Sequence, residues 1–161
     1  MKESGETEKG KNKVNEVKTF PVSFSLGENN ENITISTQLT SKPSKEQILN
    51  QAITLHSQGN IQEAIKYYQY FINQGYQDHV VFSNYGVILK DLGRLKEAEL
   101  FTRKAIELNP NFAKLHLNLG NVLKDLGKLK EADISTRKAI KLSPDLANAH
   151  YNLGNILRDL G

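Results

Sequence analysis

From His79 onward the chain repeats itself every 34 residues. Gly86, Gly120 and Gly154 fall at that interval, as do Gly93 and Gly127, Ala98 and Ala132, Ala105 and Ala139, and Pro110 and Pro144. Residues 79–112 and 113–146 are identical at 18 of 34 positions. A further copy starts at Ala147 and reaches only its first half at Gly161. A fixed period of this size constrains the fold strongly. Each unit is one supersecondary element too small to bury its own apolar face, so units must stack and share a continuous core.

Within a unit the apolar residues recur at helical spacing, interrupted at Gly93, Pro110, Gly127 and Pro144. That punctuation predicts two helices per unit, the second stopped by proline. A more divergent unit precedes these in the same register. It runs from Lys45 to Asp78, with Ile48, Ala52, Leu55, Gly59, Ala64, Tyr68 and Phe71 in the matching places and Tyr76 where the others carry proline. Ser44 offers an N-cap, with Glu46 and Gln47 in the first turn. The expected fold class is therefore all-α: a solenoid of antiparallel helical hairpins with a right-handed superhelical turn. Residues 45–161 should hold seven helices, in units 45–78, 79–112, 113–146 and a partial 147–161.

Small residues explain how the hairpins close. Gly86, Gly120 and Gly154, like Ala52, should let the second helix approach the first, with Ala98 and Ala132 opposite. Leu95 and Leu129 are expected to bury at the hairpin turns. The last helix has no second helix after it. Its Leu153, Ile156 and Leu160 are expected to form an apolar strip that invites self-association, as in a fragment of a longer protein.

Residues 1–20 carry Lys, Glu, Gly and Asn with little that is apolar, and are expected to be a disordered tail. Residues 21–44 contain "VSFSL" and "ITIST" around "GENNEN". That alternation permits a weak hairpin, although two strands alone are marginal in water. There is no cysteine, which excludes disulfides and thiolate metal sites. No run of 18 apolar residues exists to span a membrane, and the N-terminus lacks the apolar core of a secretory signal, so the cytoplasm is the expected location. The formal charge of +3 is uneven: residues 79–161 hold 13 basic and 9 acidic residues. This modest excess does not by itself call for a nucleic acid.

The motif His116, Leu119, Gly120, Leu123 followed by Ala132, Thr136, Ala139, Pro144 resembles the signature of the tetratricopeptide-repeat family. The upstream set Phe82, Tyr85, Gly86, Leu89, Ala98, Thr102, Ala105, Pro110 resembles it too. Thr102 and Thr136 replace the aromatic residue that the family places there, which should loosen packing slightly. The stretch from "PSKEQILNQA" through "INQGYQDHVVFSNYGVILKDLGRLKEAE" is similar to the N-terminal region of tetratricopeptide proteins of marine unicellular cyanobacteria, where repeats often precede a transferase domain. The resemblance implies recognition of a partner or substrate rather than catalysis.

The resemblance also implies that the first helices line a concave groove. Its candidate contacts are Asn84, Asn118, Asn121, Asn152 and Asn155, with Lys90, Lys124 and Arg158. Asn84, Asn118 and Asn152 form a ladder similar to the inner asparagines of the O-linked N-acetylglucosamine transferase superhelix. Amides of this kind can either grip an extended peptide backbone or hydrogen-bond within the scaffold. The basic file could meet acidic segments, or be compensated by Asp91, Asp125 and Asp159 beside it. The family's carboxylate clamp is incomplete, since Leu117 stands where a lysine is needed. His116 and His150 are expected to pack between helices rather than bind metal, and no cofactor is expected. Tyr68 and Phe71 should face the core, with Tyr67 and Tyr70 free to touch a partner. No phosphate loop, metalloprotease motif or nucleophile context is present. The leading expectation is a non-enzymatic module that binds an extended peptide or protein. The alternatives are a recognition arm of a larger transferase and a scaffold used on its convex face. Neither a nucleic acid nor a membrane is expected as partner.

Overall fold

The computed structural model describes Lys18–Val22, Ile33–Thr37 and residues 42–161. The chain divides into two units, Met1–Pro43 and Ser44–Gly161.

In the first unit, β1 (Lys18–Val22) pairs antiparallel with β2 (Ile33–Thr37), from Lys18 opposite Thr37 to Val22 opposite Ile33. The second strand is the expected "ITIST". The first lies upstream of "VSFSL", sharing only Val22 with it, and begins inside the segment expected to be a disordered tail. Thr19, Phe20 and Val22 favour extended backbone, and Pro21 is tolerated because both strands of a two-stranded sheet are edges. Residues 1–17 of the expected tail, and the expected turn "GENNEN", lie outside the described residues.

The second unit is all helical among the described residues. Its helices are α1 (Lys45–Ser57), α2 (Ile61–Asn73), α3 (His79–Asp91), α4 (Leu95–Leu108), α5 (Ala113–Asp125), α6 (Leu129–Leu142) and α7 (Ala147–Leu160). They form stacked antiparallel pairs, α1 with α2, α3 with α4 and α5 with α6, in a right-handed superhelix, and α7 packs on α6. Ser44 and Gln47 make a complete capping box at the start of α1. Asp78 caps α3, accepting from Val80 N at 2.8 Å and Val81 N at 3.3 Å. Gly93 and Gly127, both at φ +74°, end α3 and α5 in the left-handed conformation that glycine adopts without strain. The amides of Arg94 and Lys128 then return to the carbonyls of Leu89 and Leu123, closing a Schellman-type turn at 2.8 and 2.9 Å.

The hairpins pack through the residues that the period marked. Ala52, Ala64, Ala98, Ala105, Ala132 and Ala139 are fully buried. A Cβ on Gly86 would stand 2.7 Å from Thr102 Oγ1, and one on Gly120 would strike Thr136 Oγ1. Thr102 and Thr136 therefore sit directly against these glycines, although Thr136 Oγ1 is buried with no hydrogen-bond partner among the described residues. Each is the small residue that lets a second helix sit directly on a glycine, and Thr102 Oγ1 donates to the Ala98 carbonyl at 2.7 Å. Leu95 and Leu129 are only half-buried at the turns, less than expected.

The first two repeats share a continuous set of rings. His56 meets Tyr68, Tyr68 meets Tyr85, and Tyr85 meets Phe101 with centroids 4.9 Å apart; Phe101 then meets Phe82. From Ala113 to Leu146 there is no Phe, Tyr or Trp, and aliphatic side chains form the core.

The end of the solenoid differs from expectation in one respect. Ile156 is fully buried, packed with Leu119, Leu123 and Ala132 of the preceding repeat. Leu153 is half-buried, and the apolar residues of α7 left in solvent are Leu157, Leu160 and Tyr151. A Cβ on Gly154 would meet nothing, in contrast to Gly86 and Gly120.

Candidate functional site

The candidate groove residues all lie on α3, α5 and α7, the first helices of successive repeats. Steps of three, four and seven residues keep Asn84, Val87 and Asp91 on one helical face, and Asn118, Asn121 and Asp125 on the next. Stacking sets those faces side by side.

Each ladder asparagine is half-buried and gives an N–H to the repeat before it. Asn84 Nδ2 donates to the Tyr68 hydroxyl on α2 at 3.3 Å. Asn118 Nδ2 donates to Ser83 Oγ on α3 at 3.1 Å, and Asn152 Nδ2 donates to Asn121 Oδ1 on α5. Tyr68 is fully buried, and burial pushes its hydroxyl pKa up against the opposing effect of the Asn84 bond. Its oxygen lies 3.2 Å from His56 Nδ1.

An amide has two N–H donors and a carbonyl acceptor. In Asn84, Asn118 and Asn152 one N–H is spent on the scaffold, and the carbonyl has no protein partner among the described residues. Asn155 is half-buried with no side-chain hydrogen bond among the described residues. A scaffold bond orients each of the three ladder asparagines, and one N–H and the carbonyl are left over.

The basic file is partly neutralised. Lys90 Nζ lies 2.7 Å from Asp91, and Arg158 Nε lies 3.7 Å from Asp159 with its side chain largely exposed. An exposed pair such as Arg158–Asp159 holds little energy, whereas Lys90 is half-buried. Lys124 has no ion pair among the described residues. Leu117 is 7% exposed and packs with Ala139 and Ala149, so the position where a carboxylate clamp needs lysine belongs to the core.

Some expectations are corrected. Tyr70 is 3% exposed and Tyr67 half-buried, so Tyr70 is no partner contact. His116 is half-buried but His150 is exposed. Each donates Nε2–H to a proline carbonyl, Pro110 and Pro144 respectively, at 2.7 Å. These rings brace the inter-repeat turns. Ser83, on the same helix as Asn84, supplies the hydroxyl that holds Asn118. Leu117 and Tyr151 occupy its place in the next repeats, so no period marked it.

Among the described residues no three His, Cys, Asp or Glu side chains come together to hold a metal, and no helix is long and apolar enough to cross a membrane.

Family comparisons agree with the repeat fold. Profiles described as tetratricopeptide repeat match residues 81–112 and 101–133, and one described as TPR repeat matches 120–161. Together they span 81–161, half of the chain. No curated protein matches. Among solved structures, the first TPR of Spaghetti (RPAP3), bound to HSP90 peptide SRMEEVD, is 23% identical with a TM-score of 0.68, covering 72% of this chain and 92% of that one. The second TPR domain of human RPAP3, in complex with HSP70 peptide SGPTIEEVD, is 24% identical with a TM-score of 0.61, covering 68% and 91%. The Arabidopsis OM64 TPR domain is 19% identical with a TM-score of 0.66, covering 71% and 94%.

Proposed function

The chain belongs to the tetratricopeptide-repeat family, and from that premise we propose that it is a non-catalytic module holding an extended, acidic peptide segment in its concave groove. The observation that carries this reading is the state of Asn84, Asn118 and Asn152. Each is oriented by one bond to the neighbouring repeat and keeps an unspent carbonyl and N–H. A peptide backbone offers the complementary donor and acceptor at every residue. Because the side chains are already fixed, binding costs little of their rotamer entropy. Asn121 and Asn155 extend the polar line, and Lys90, Lys124 and Arg158 favour Asp or Glu in the ligand. The two RPAP3 neighbours hold peptides carrying Glu-Glu-Val-Asp, which supports an acidic ligand class. The buried Leu117 argues against capture of a terminal carboxylate.

The test is calorimetry with SRMEEVD, as the free acid and as the C-terminal amide, on the parent and on Asn155→Ala and Lys124→Ala. Neither residue has a side-chain partner among the described residues, so the fold should be unchanged by circular dichroism. We expect both peptides to bind with similar affinity, and Asn155→Ala to weaken binding by about 1 kcal/mol. Absence of binding by either peptide, or unchanged affinity in both variants, would leave a convex-face scaffold as the better reading. A strong preference for the free acid would restore a clamp.

The exposed Leu157 and Leu160 on α7, beside the open face of Gly154, support a second contact. Two copies of the chain pair through these helices in this reading, and charged substitutions there are the corresponding test.

A further inference from the structure

A second recess lies away from the asparagine face. It occupies about 600 Å³ between α4 and α6, with Leu119 and Leu123 of α5 as its floor and Ile106 and Ile134 among its walls. At 100° per residue, Leu119 and Leu123 are on the side of α5 opposite Asn118 and Asn121. The recess is therefore separate from the groove.

Its origin is visible one repeat upstream. Subtracting 34 from Leu119 and Ser135 gives Tyr85 and Phe101. In that repeat the same space is filled by the chain's own rings. Phe101 is 7% exposed, meeting Tyr85 edge to face with centroids 4.9 Å apart and Phe82 at 6.0 Å. Lys104 Nζ stands 5.4 Å from the centre of the Phe101 ring. In the next repeat Tyr85 becomes Leu119, Phe101 becomes Ser135, and Lys104 is kept as Lys138, which lines the recess. The cation remains and the ring beneath it is gone.

We propose that this recess receives a phenylalanine side chain from a partner polypeptide, seated over Leu119 and Leu123 under the Lys138 ammonium. The floor is aliphatic, as a ring requires. Of the polar groups on the wall, Ser135 Oγ is already satisfied, donating to the His116 carbonyl at 2.9 Å, and Arg103 is paired with Glu131. A phenol is not called for. Upstream, the Tyr85 hydroxyl takes an N–H from Gln69 at 3.0 Å; the equivalent Arg103 is engaged by Glu99 and Glu131. Ile134, at 69% exposed, extends the apolar rim outward to where a partner chain would approach. A lysine over an aromatic face adds attraction that an aliphatic side chain does not receive.

Methyl-detected NMR on the full chain tests this, with N-acetyl-phenylalaninamide and N-acetyl-leucinamide as probes. The phenylalanine probe should shift the Ile106, Ile134 and Leu119 methyls, with at least about threefold preference over leucine from ring contacts. Ser135→Phe should abolish those shifts and raise the melting temperature, because the new ring fills the recess. Lys138→Ala, at a surface site that leaves the fold intact, should erase the preference while weak binding persists. Phe101→Ser should open a second recess, read at the Ile72 methyl. Equal response to both probes, retention of the shifts in folded Ser135→Phe, or no shifts at all would overturn the proposal. Methyl shifts that depend on protein concentration without probe would assign the recess to a second copy and overturn it equally.

Discussion

Asn118 on α5 donates its amide hydrogen to Ser83 Oγ on α3 at 3.1 Å, so the first helices of two successive repeats are joined directly through their inner faces. Ser83 is 7% exposed. Asn118→Ala should cost about 1 kcal/mol, since it leaves that hydroxyl without its donor. Asn155→Ala, with no such bond, should leave stability within about 0.5 kcal/mol of the parent, the range of surface changes. Urea melts of the two variants check this, and equal losses would contradict it.

Gly86→Ala and Gly154→Ala should have opposite signs. At position 86 the new methyl meets Thr102 Oγ1 at 2.7 Å, and that hydroxyl is buried and committed to the Ala98 carbonyl. Overpacking there should destabilise by about 1–3 kcal/mol. At position 154 the methyl enters open space, so only helix propensity acts, stabilising by roughly 0.5–1 kcal/mol. Thermal melts of the single variants would read the difference.

Glu99 links α4 to the α5–α6 turn. It accepts from Lys128 Nζ at 2.8 and 3.1 Å and from Arg103 at 2.8 Å. The Lys128 bond, with Arg103 adding to it, holds the Glu99 carboxyl below its ordinary range despite partial burial. A carboxyl with a depressed folded pKa stabilises the fold above its unfolded pKa. That contribution is lost as pH falls through the folded value. The parent should therefore lose melting temperature on the acid side more steeply than Glu99→Gln, while the variant should be the less stable protein at neutral pH. Parallel curves of melting temperature against pH would refute the assignment.

Leu157→Glu with Leu160→Glu should reduce association at high concentration without unfolding the chain, since both side chains are more than 40% exposed. Sedimentation velocity over a concentration series is the measurement. A parent that stays monomeric throughout would remove α7 as a contact between copies.

The helices were legible in the sequence because the 34-residue period places the same small and breaking residues at every joint. Gly93 and Gly127, Ala98 and Ala132, and Ser44 each act where their chemistry predicts. The site was less legible, because repetition marks a position without saying which neighbour it touches. Asn118 finds a serine and Asn152 an asparagine only once the helices are stacked. Threonine at 102 and 136 departs from the family pattern, and only the stacked helices show that each faces a glycine. The displaced β1 shows the reverse limit. Residues 18–20 read as part of the tail, and a short alternating run such as "VSFSL" has no period to fix which residues pair with "ITIST".

The linked rings of His56, Tyr68, Tyr85, Phe101 and Phe82 stop at α4, and this gives the solenoid an unequal order of opening. In a linear array each repeat is held by its own packing and that of its immediate neighbours. The aliphatic repeat and the half-covered α7 should open most often, with amide exchange fastest there and slowing toward α3 and α4. Unravelling that starts at α7 should run back through α5 and halt at Phe101, leaving the N-terminal pairs folded as a separate cooperative block.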